Sequence, residues 1–254
     1  IITGLVGSEM CIRDRINYDS GVILTPETAN HSDLIGFIQI SAVILSVLPT
    51  LRSSALAAAL ISLFSLSAAQ YGIVYMLDYL HVLGLAGFLL FTDPHSKYQN
   101  DNKAMSVLYL LTGFSLCWLG IEKIVFPSWS YEVLAQEPAL AMGFSHEFFV
   151  RGSALVEFSF GFMFMAQRWN RLLATILFIV MVITASFFGM VEIKGHLAMH
   201  AILLLFIFDG RVRLPISSFM ESAKSGLSLS AFYCATLAFF VWTYRETAQW
   251  SYEN

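Results

Sequence analysis

Residues 172–190, LLATILFIVMVITASFFGM, run without a single ionisable side chain. That length is close to the roughly 20 apolar residues that a helix needs to cross a bilayer. Comparable runs recur along the chain, and 57% of its 254 residues are hydrophobic against 13% charged. A mean hydropathy of +0.69 is too apolar for a soluble domain. The expected class is therefore an all-α, polytopic transmembrane bundle whose first partner is the lipid bilayer. The formal charge of -4 says little about other partners, because the position of charge matters more than its sum in such a protein. There is no basic tract and no phosphate loop, which removes nucleic acid. Cys11, Cys117 and Cys234 lie far apart without CxxC spacing, and suggest neither a zinc site nor a disulfide framework.

About eight helices are expected, over 33–49, 53–70, 71–91, 104–126, 147–167, 170–191, 195–208 and 226–244. The first and seventh are short enough to tilt or to thin the bilayer. Residues 55–91 form one apolar stretch too long for a single span, which predicts a turn within 71–78. Basic residues orient the bundle. Arg52, Lys97, Lys103, Arg168, Arg171, Arg211, Arg213 and Lys224 fall in alternate turns, whereas the opposite side holds Lys123, Arg151, Lys194 and Arg245. Eight against four places the first set in the cytoplasm, with the 126–144 loop and the C-terminus extracytoplasmic.

The chain starts at Ile1, and residues 7–15, GSEMCIRDR, read as translated sequencing adapter. Residues 1–15 are expected to be a non-native tail on an N-terminally truncated protein, so Arg13 and Arg15 are left out of the charge comparison. An internal repeat fits the same idea. His31 and His146 precede helices and lie 115 apart, as do His81 and His196; the same shift nearly carries Arg52 onto Arg168 and Asp93 onto Asp209. Two parallel four-helix units related by an axis along the membrane normal would produce this pattern. The expected divisions are 16–103, a first unit lacking its first helix; 104–213, a complete second unit; and 214–254, an extra C-terminal transmembrane helix and tail.

The second unit carries LTGFSLCWLGIEKIVFPSW, then RGSALVEFSFGFMFMAQRWNRLLATILFIVMVITASFF, then HLAMHAILLLFIFDGR. This succession resembles the four-helix pattern of DoxX-like membrane proteins. Gly120-x-x-Lys123 closes a first helix, Glu157 precedes Gly161 in a second, a basic turn leads to the third, and Asp209-Gly210-Arg211 follows the fourth. The match covers about residues 106–213, and the first half more faintly. The resemblance implies a small protein of a bacterial-type inner membrane. It also implies a redox-associated subunit, since some members are linked to thiosulfate and quinone chemistry or to thiol stress. Another redox membrane subunit or a periplasmic one is the implied protein partner, and Lys123 is marked as a position to follow.

Ionisable groups inside apolar helices point to function, because a bilayer penalises each by several kcal/mol unless it is paired or shielded. Glu192, His196 and His200 follow at i, i+4 and i+8 and share a face if the helix is unbroken, although Gly195 offers a break. His146 and Glu157 are eleven apart, about three turns, which sets Glu157 roughly 16 Å deeper on the same face. Glu157 is expected near mid-membrane and to be protonated, paired or liganding. Three chemistries stay open. A metal would be held by His196 and His200 with a carboxylate or His146. A haem would take one of these histidines as axial ligand. A proton relay or quinone pocket would use Glu157 and His200 as buried catalytic acid and base, with Lys123, His146 and Glu192 as cofactor-binding groups.

The competing account is that these groups only bond one another and fix helix register. It is preferred for His31, His81 and His146, at outer helix starts. Glu147 and Arg151 read as an interfacial ion pair, Lys123 as a snorkelling anchor, and Trp118, Trp129, Tyr131, Tyr244 and Trp250 as an aromatic belt. The leading expectation is a redox-associated subunit handling a quinone, metal or proton in an outer-leaflet cavity. A small-solute carrier, or a structural or assembly subunit without a site, are the alternatives.

Overall fold

The computed structural model describes residues 21–25, 28–30, 33–92, 100–208 and 226–253. Their regular structure is helical except for β1 (Gly21–Val22) and β2 (Ala29–Asn30), an antiparallel pair of two residues each. Thr28 closes this hairpin, its Oγ1 accepting from the amides of Leu24 at 3.2 Å and Thr25 at 3.1 Å. The helices are α1 (Asp33–Ser46), α2 (Arg52–Tyr71), α3 (Ile73–Met76), α4 (Leu80–Thr92), α5 (Asp101–Val125), α6 (Pro127–Gln136), α7 (His146–Met165), α8 (Asn170–Phe188), α9 (Met190–Gly195), α10 (Leu197–Phe208) and α11 (Gly226–Glu253). Among the described residues, Arg52–Tyr71, Ile73–Thr92, Asp101–Val125, His146–Met165 and Asn170–Phe188 are long and apolar enough to cross a bilayer, while α1 and α10 are apolar but shorter. This is the architecture of a multi-pass helical membrane protein.

Glycines set several helix ends. The turn expected within 71–78 falls at Gly72, whose φ of +88° is open to a residue without Cβ and whose N–H bonds the Ala68 carbonyl at 3.0 Å. The second span then runs through a 3-10 turn, Leu77–Tyr79, before α4 begins. Gly189, at φ +69°, stops α8 short of the expected residue 191. The break foreseen at Gly195 is present: α9 ends there and α10 starts at Leu197, so the Glu192, His196, His200 ladder is not one continuous helix. Side-chain caps open two helices, Asn100 accepting from the Lys103 amide at 3.0 Å and Ser145 from the Phe148 amide at 3.3 Å.

α5 is the centre of the bundle, packed against α4 on one side and α7 on another. Lipid tails are as apolar as leucine, so close backbone approach holds such helices together. The α5–α7 seam has it. A Cβ on Gly120 would stand 2.7 Å from the Ala154 carbonyl oxygen, and one on Gly113 would stand 2.5 Å from that of Gly161. α10 reaches α5 through Tyr109, stacked on Phe206 at 4.0 Å. α11 packs on α5 and α7 with aromatic rings, Tyr244 against Trp118 at 4.7 Å and Phe240 against Phe158 at 5.8 Å. Phe37, Ile40 and Val43 on α1 and Ile179, Val182 and Ile183 on α8 are exposed, as lipid-facing stripes would be.

Candidate functional site

The α5–α7 seam fixes the site. Gly113 lies against Gly161 and Gly120 against Ala154 and Phe158, so the two helices are antiparallel. In that register Lys123, in the last turn of α5, stands about one turn nearer its end of the bundle than Glu157, which is midway along α7. The Lys123 ammonium nevertheless turns back into the bundle and pairs with Oε1 of Glu157. This corrects the snorkelling expectation for Lys123. A carboxylate in mid-helix needs a compensating charge, and a lysine one turn away can bring it along the seam. Both side chains remain partly open, at 24% and 21% exposure, and Lys123 also lines the adjoining cleft. Oε2 of Glu157 is buried and takes no hydrogen bond from any described residue.

Beside this pair lies a cleft of about 260 Å³ walled by the end of α5, by α6 and by the first half of α7. Glu122 and Lys123 supply its charge; Leu119, Phe126, Trp129, Val133 and Phe149 supply apolar wall, and Ser153 a hydroxyl. It is at the small end of ligand sites. α6 was expected to be irregular loop. Its helix starts with Pro127 in the first turn, where a missing N–H costs nothing, and turns Leu134 inward to pack with Ala141 and Val150. Trp129 stacks on Phe126 with centroids 5.5 Å apart.

The far flank of the cleft is braced from α11. The Tyr244 hydroxyl donates to Oε2 of Glu122 at 3.0 Å. Its ring is 5% exposed and lies between Trp118 at 4.7 Å and Phe126 at 6.1 Å. A second bond of the same kind joins Tyr233 to Ser159 at 2.9 Å. Sequence reasoning assigned Tyr244 to an interfacial belt and missed both bonds. The available signal was Glu122, a second charge beside Lys123 in an otherwise apolar helix.

His146 is the exposed first residue of α7, eleven residues from Glu157 and so roughly 16 Å along the helix. Glu147 and Arg151 form the expected exposed ion pair, at 2.7 Å. His200 donates from Nδ1 to the His196 carbonyl at 2.8 Å and meets Phe178 edge-on at 5.5 Å. No hydrogen bond or ion pair among the described residues joins Glu157 to His200. His196 stands in the turn between α9 and α10. The Glu192 side chain and His31 lie outside the described residues. Among the described residues no three His, Cys, Asp or Glu side chains form a metal-ligand group.

His81 has the register-fixing geometry expected of it. Its Nδ1 lies 3.1 Å from the Ser115 hydroxyl and 3.2 Å from the Asp78 carbonyl, and the Ser115 hydroxyl donates to that same carbonyl. This triangle ties α4 to α5 at a buried level.

An ammonium and a carboxylate in contact, next to a largely apolar cleft, can deliver a proton to a ligand oxygen or take one from it. Comparison with protein-family models, with curated proteins and with solved structures finds no match to this chain.

Proposed function

We propose that the protein is a DoxX-like, redox-associated subunit of a bacterial-type inner membrane that holds a quinone headgroup in the cleft beside Lys123 and Glu157. The observation that carries this reading is Lys123, paired with Glu157, in the wall of a cleft with aromatic sides. A flat ring bearing two oxygens suits apolar walls with a few fixed polar groups. Phe126, Trp129 and Phe149 provide the walls. Lys123 offers an ammonium to a ring oxygen, and Glu157 is its counter-charge and proton store. A bound quinone would supply two-electron, two-proton chemistry.

The resemblance over 106–213 supports the reading at two of its anchors, because Lys123 and Glu157 are in contact. In this account two parallel four-helix units, 16–103 and 104–213, follow one another, and the cleft opens to the extracytoplasmic side. Residues 214–254 then add a helix that braces the site through Tyr244. Glu157, half-way along a spanning helix, would also serve a small-solute carrier, which is the second reading.

Purified protein in lipid nanodiscs separates them. Tryptophan fluorescence should be quenched saturably by a decyl-tailed quinone, and Lys123→Met should abolish the effect. A visible spectrum and metal analysis of the same sample test for haem or metal in place of quinone. No saturable quenching, together with solute uptake in proteoliposomes that Glu157→Gln abolishes, would replace the quinone reading by the carrier. If uptake is also absent, the structural subunit stands.

A further inference from the structure

We propose that Ser130 is the second hydrogen-bond donor of the cleft, and that with Lys123 it selects a ring bearing two acceptor oxygens over a ring bearing one. This rests on the quinone reading and names the residue that holds the ring's second oxygen. The charged and hydroxyl side chains of the cleft wall are Glu122, Lys123, Ser130 and Ser153. Two of them are already committed. Glu122 takes the Tyr244 hydroxyl at 3.0 Å and has further interactions, and Ser153 donates its one hydroxyl hydrogen to the Val150 carbonyl at 2.9 Å. Lys123 gives an N–H to Glu157, but an ammonium has three, so it keeps donors for a ligand oxygen.

In apolar surroundings a helical serine turns its hydroxyl back to a carbonyl of its own helix. Ser65, Ser106 and Ser159 do so over one turn, to Ile61, Asn102 and Leu155. Ser130 does not. It stands on α6 in the cleft wall, and its hydroxyl makes no hydrogen bond with any described residue. Trp129 beside it also carries an N–H, but one fixed in the plane of a ring stacked on Phe126 at 5.5 Å, whereas a serine hydroxyl rotates to follow a ligand oxygen. The stacked Phe126 and Trp129 lie in the chain between Lys123 on α5 and Ser130 on α6, so a ring seated against this aromatic pair has the ammonium towards α5 and the hydroxyl towards α6. One oxygen then takes a charge-assisted bond and the other a neutral one, which fixes a single orientation of the ring.

The test is a calorimetric titration of the full chain in nanodiscs, against empty nanodiscs as blank, with a decyl-tailed quinone and with a tail-matched aromatic ketone carrying a single carbonyl. Ser130→Ala should weaken quinone binding about fivefold, the loss of one neutral hydrogen bond, and change ketone binding by less than about twofold. Ser130→Thr retains the hydroxyl and should keep most of the quinone affinity, and Trp129→Phe should leave the quinone-to-ketone ratio unchanged. The carbonyl stretching bands of the bound quinone supply a readout that needs no variant: both should be shifted down from their free positions in the unmodified protein, and one should return in Ser130→Ala. A single shifted band in the unmodified protein, equal losses for quinone and ketone in Ser130→Ala, or transfer of the quinone-specific loss to Trp129→Phe overturns the inference alone. Absence of saturable quinone binding to the unmodified protein overturns the quinone reading and this inference with it.

Discussion

Lys123 turns back from the last turn of α5 and pairs with Glu157, midway along α7, so two charges from separate spans neutralise each other inside the bundle. Neither is well tolerated alone in an apolar surrounding. The close glycine contacts of the seam set the register in which they meet.

Removing one partner should cost more than removing both. Lys123→Met or Glu157→Leu strands the opposite charge, a loss of roughly 3 kcal/mol, whereas the double variant should recover a substantial part of it. Reversible unfolding in mixed micelles measures all three. Strictly additive losses would show that the pair is not energetically coupled.

The α5–α7 seam should be intolerant of bulk. Gly161→Leu has no room, because a Cβ there already meets Cys117 Sγ at 2.9 Å as well as the Gly113 carbonyl, and it should abolish the folded state. Gly152→Ala, on the same helix with open space around it, should be neutral or slightly stabilising. Yield of monodisperse protein after detergent extraction distinguishes the two, and equal yields would contradict the packing described.

Ser115→Ala should loosen α4 from α5. It deletes a donor to the Asp78 carbonyl and a partner of His81, at a cost of about 1–3 kcal/mol. His146→Ala, at an exposed helix start, should change stability by no more than about 0.5 kcal/mol. The same unfolding assay checks both, and a larger effect at His146 than at Ser115 would reverse the assignment of structural roles.

The thiols should differ in reactivity. Cys117 is buried in the seam and Cys234 is exposed on α11, so a lipid-soluble maleimide should label Cys234 in the folded protein and Cys117 only after unfolding. Cys11→Ser supplies the background in which labelling is read by mass. Labelling of Cys117 in the native bundle would mean that the seam opens.

The membrane class and most helix positions were legible because apolar runs of bilayer length leave few other outcomes. Gly195 could be located as a break because glycine disfavours helix continuation, whereas the turn at Gly72 was bounded only to 71–78, by the excess length of the apolar stretch. The pairing of Lys123 with Glu157 was not legible. Both residues were singled out, but sequence does not tell which way a lysine at a helix end will turn, outward to water or back along a seam. That depends on the glycine contacts between α5 and α7. Tyr244 was hidden for a similar reason, since aromatic side chains near helix ends satisfy a belt pattern whether they face lipid or a neighbouring carboxylate. α6 carried its signal in Pro127 and in the spacing of Trp129, Val133 and Leu134, overshadowed by the polar residues between them.

The central claim, that Lys123, held by its pairing with Glu157, is the working charge of a ligand cleft, is tested most directly by exchanging the two. Quinone titration is compared for Lys123→Glu, Glu157→Lys and the double exchange. Each single variant should weaken binding by about tenfold or more, and the double exchange should recover part of it by restoring the pair. Single variants that bind as tightly as the unmodified protein would contradict the account.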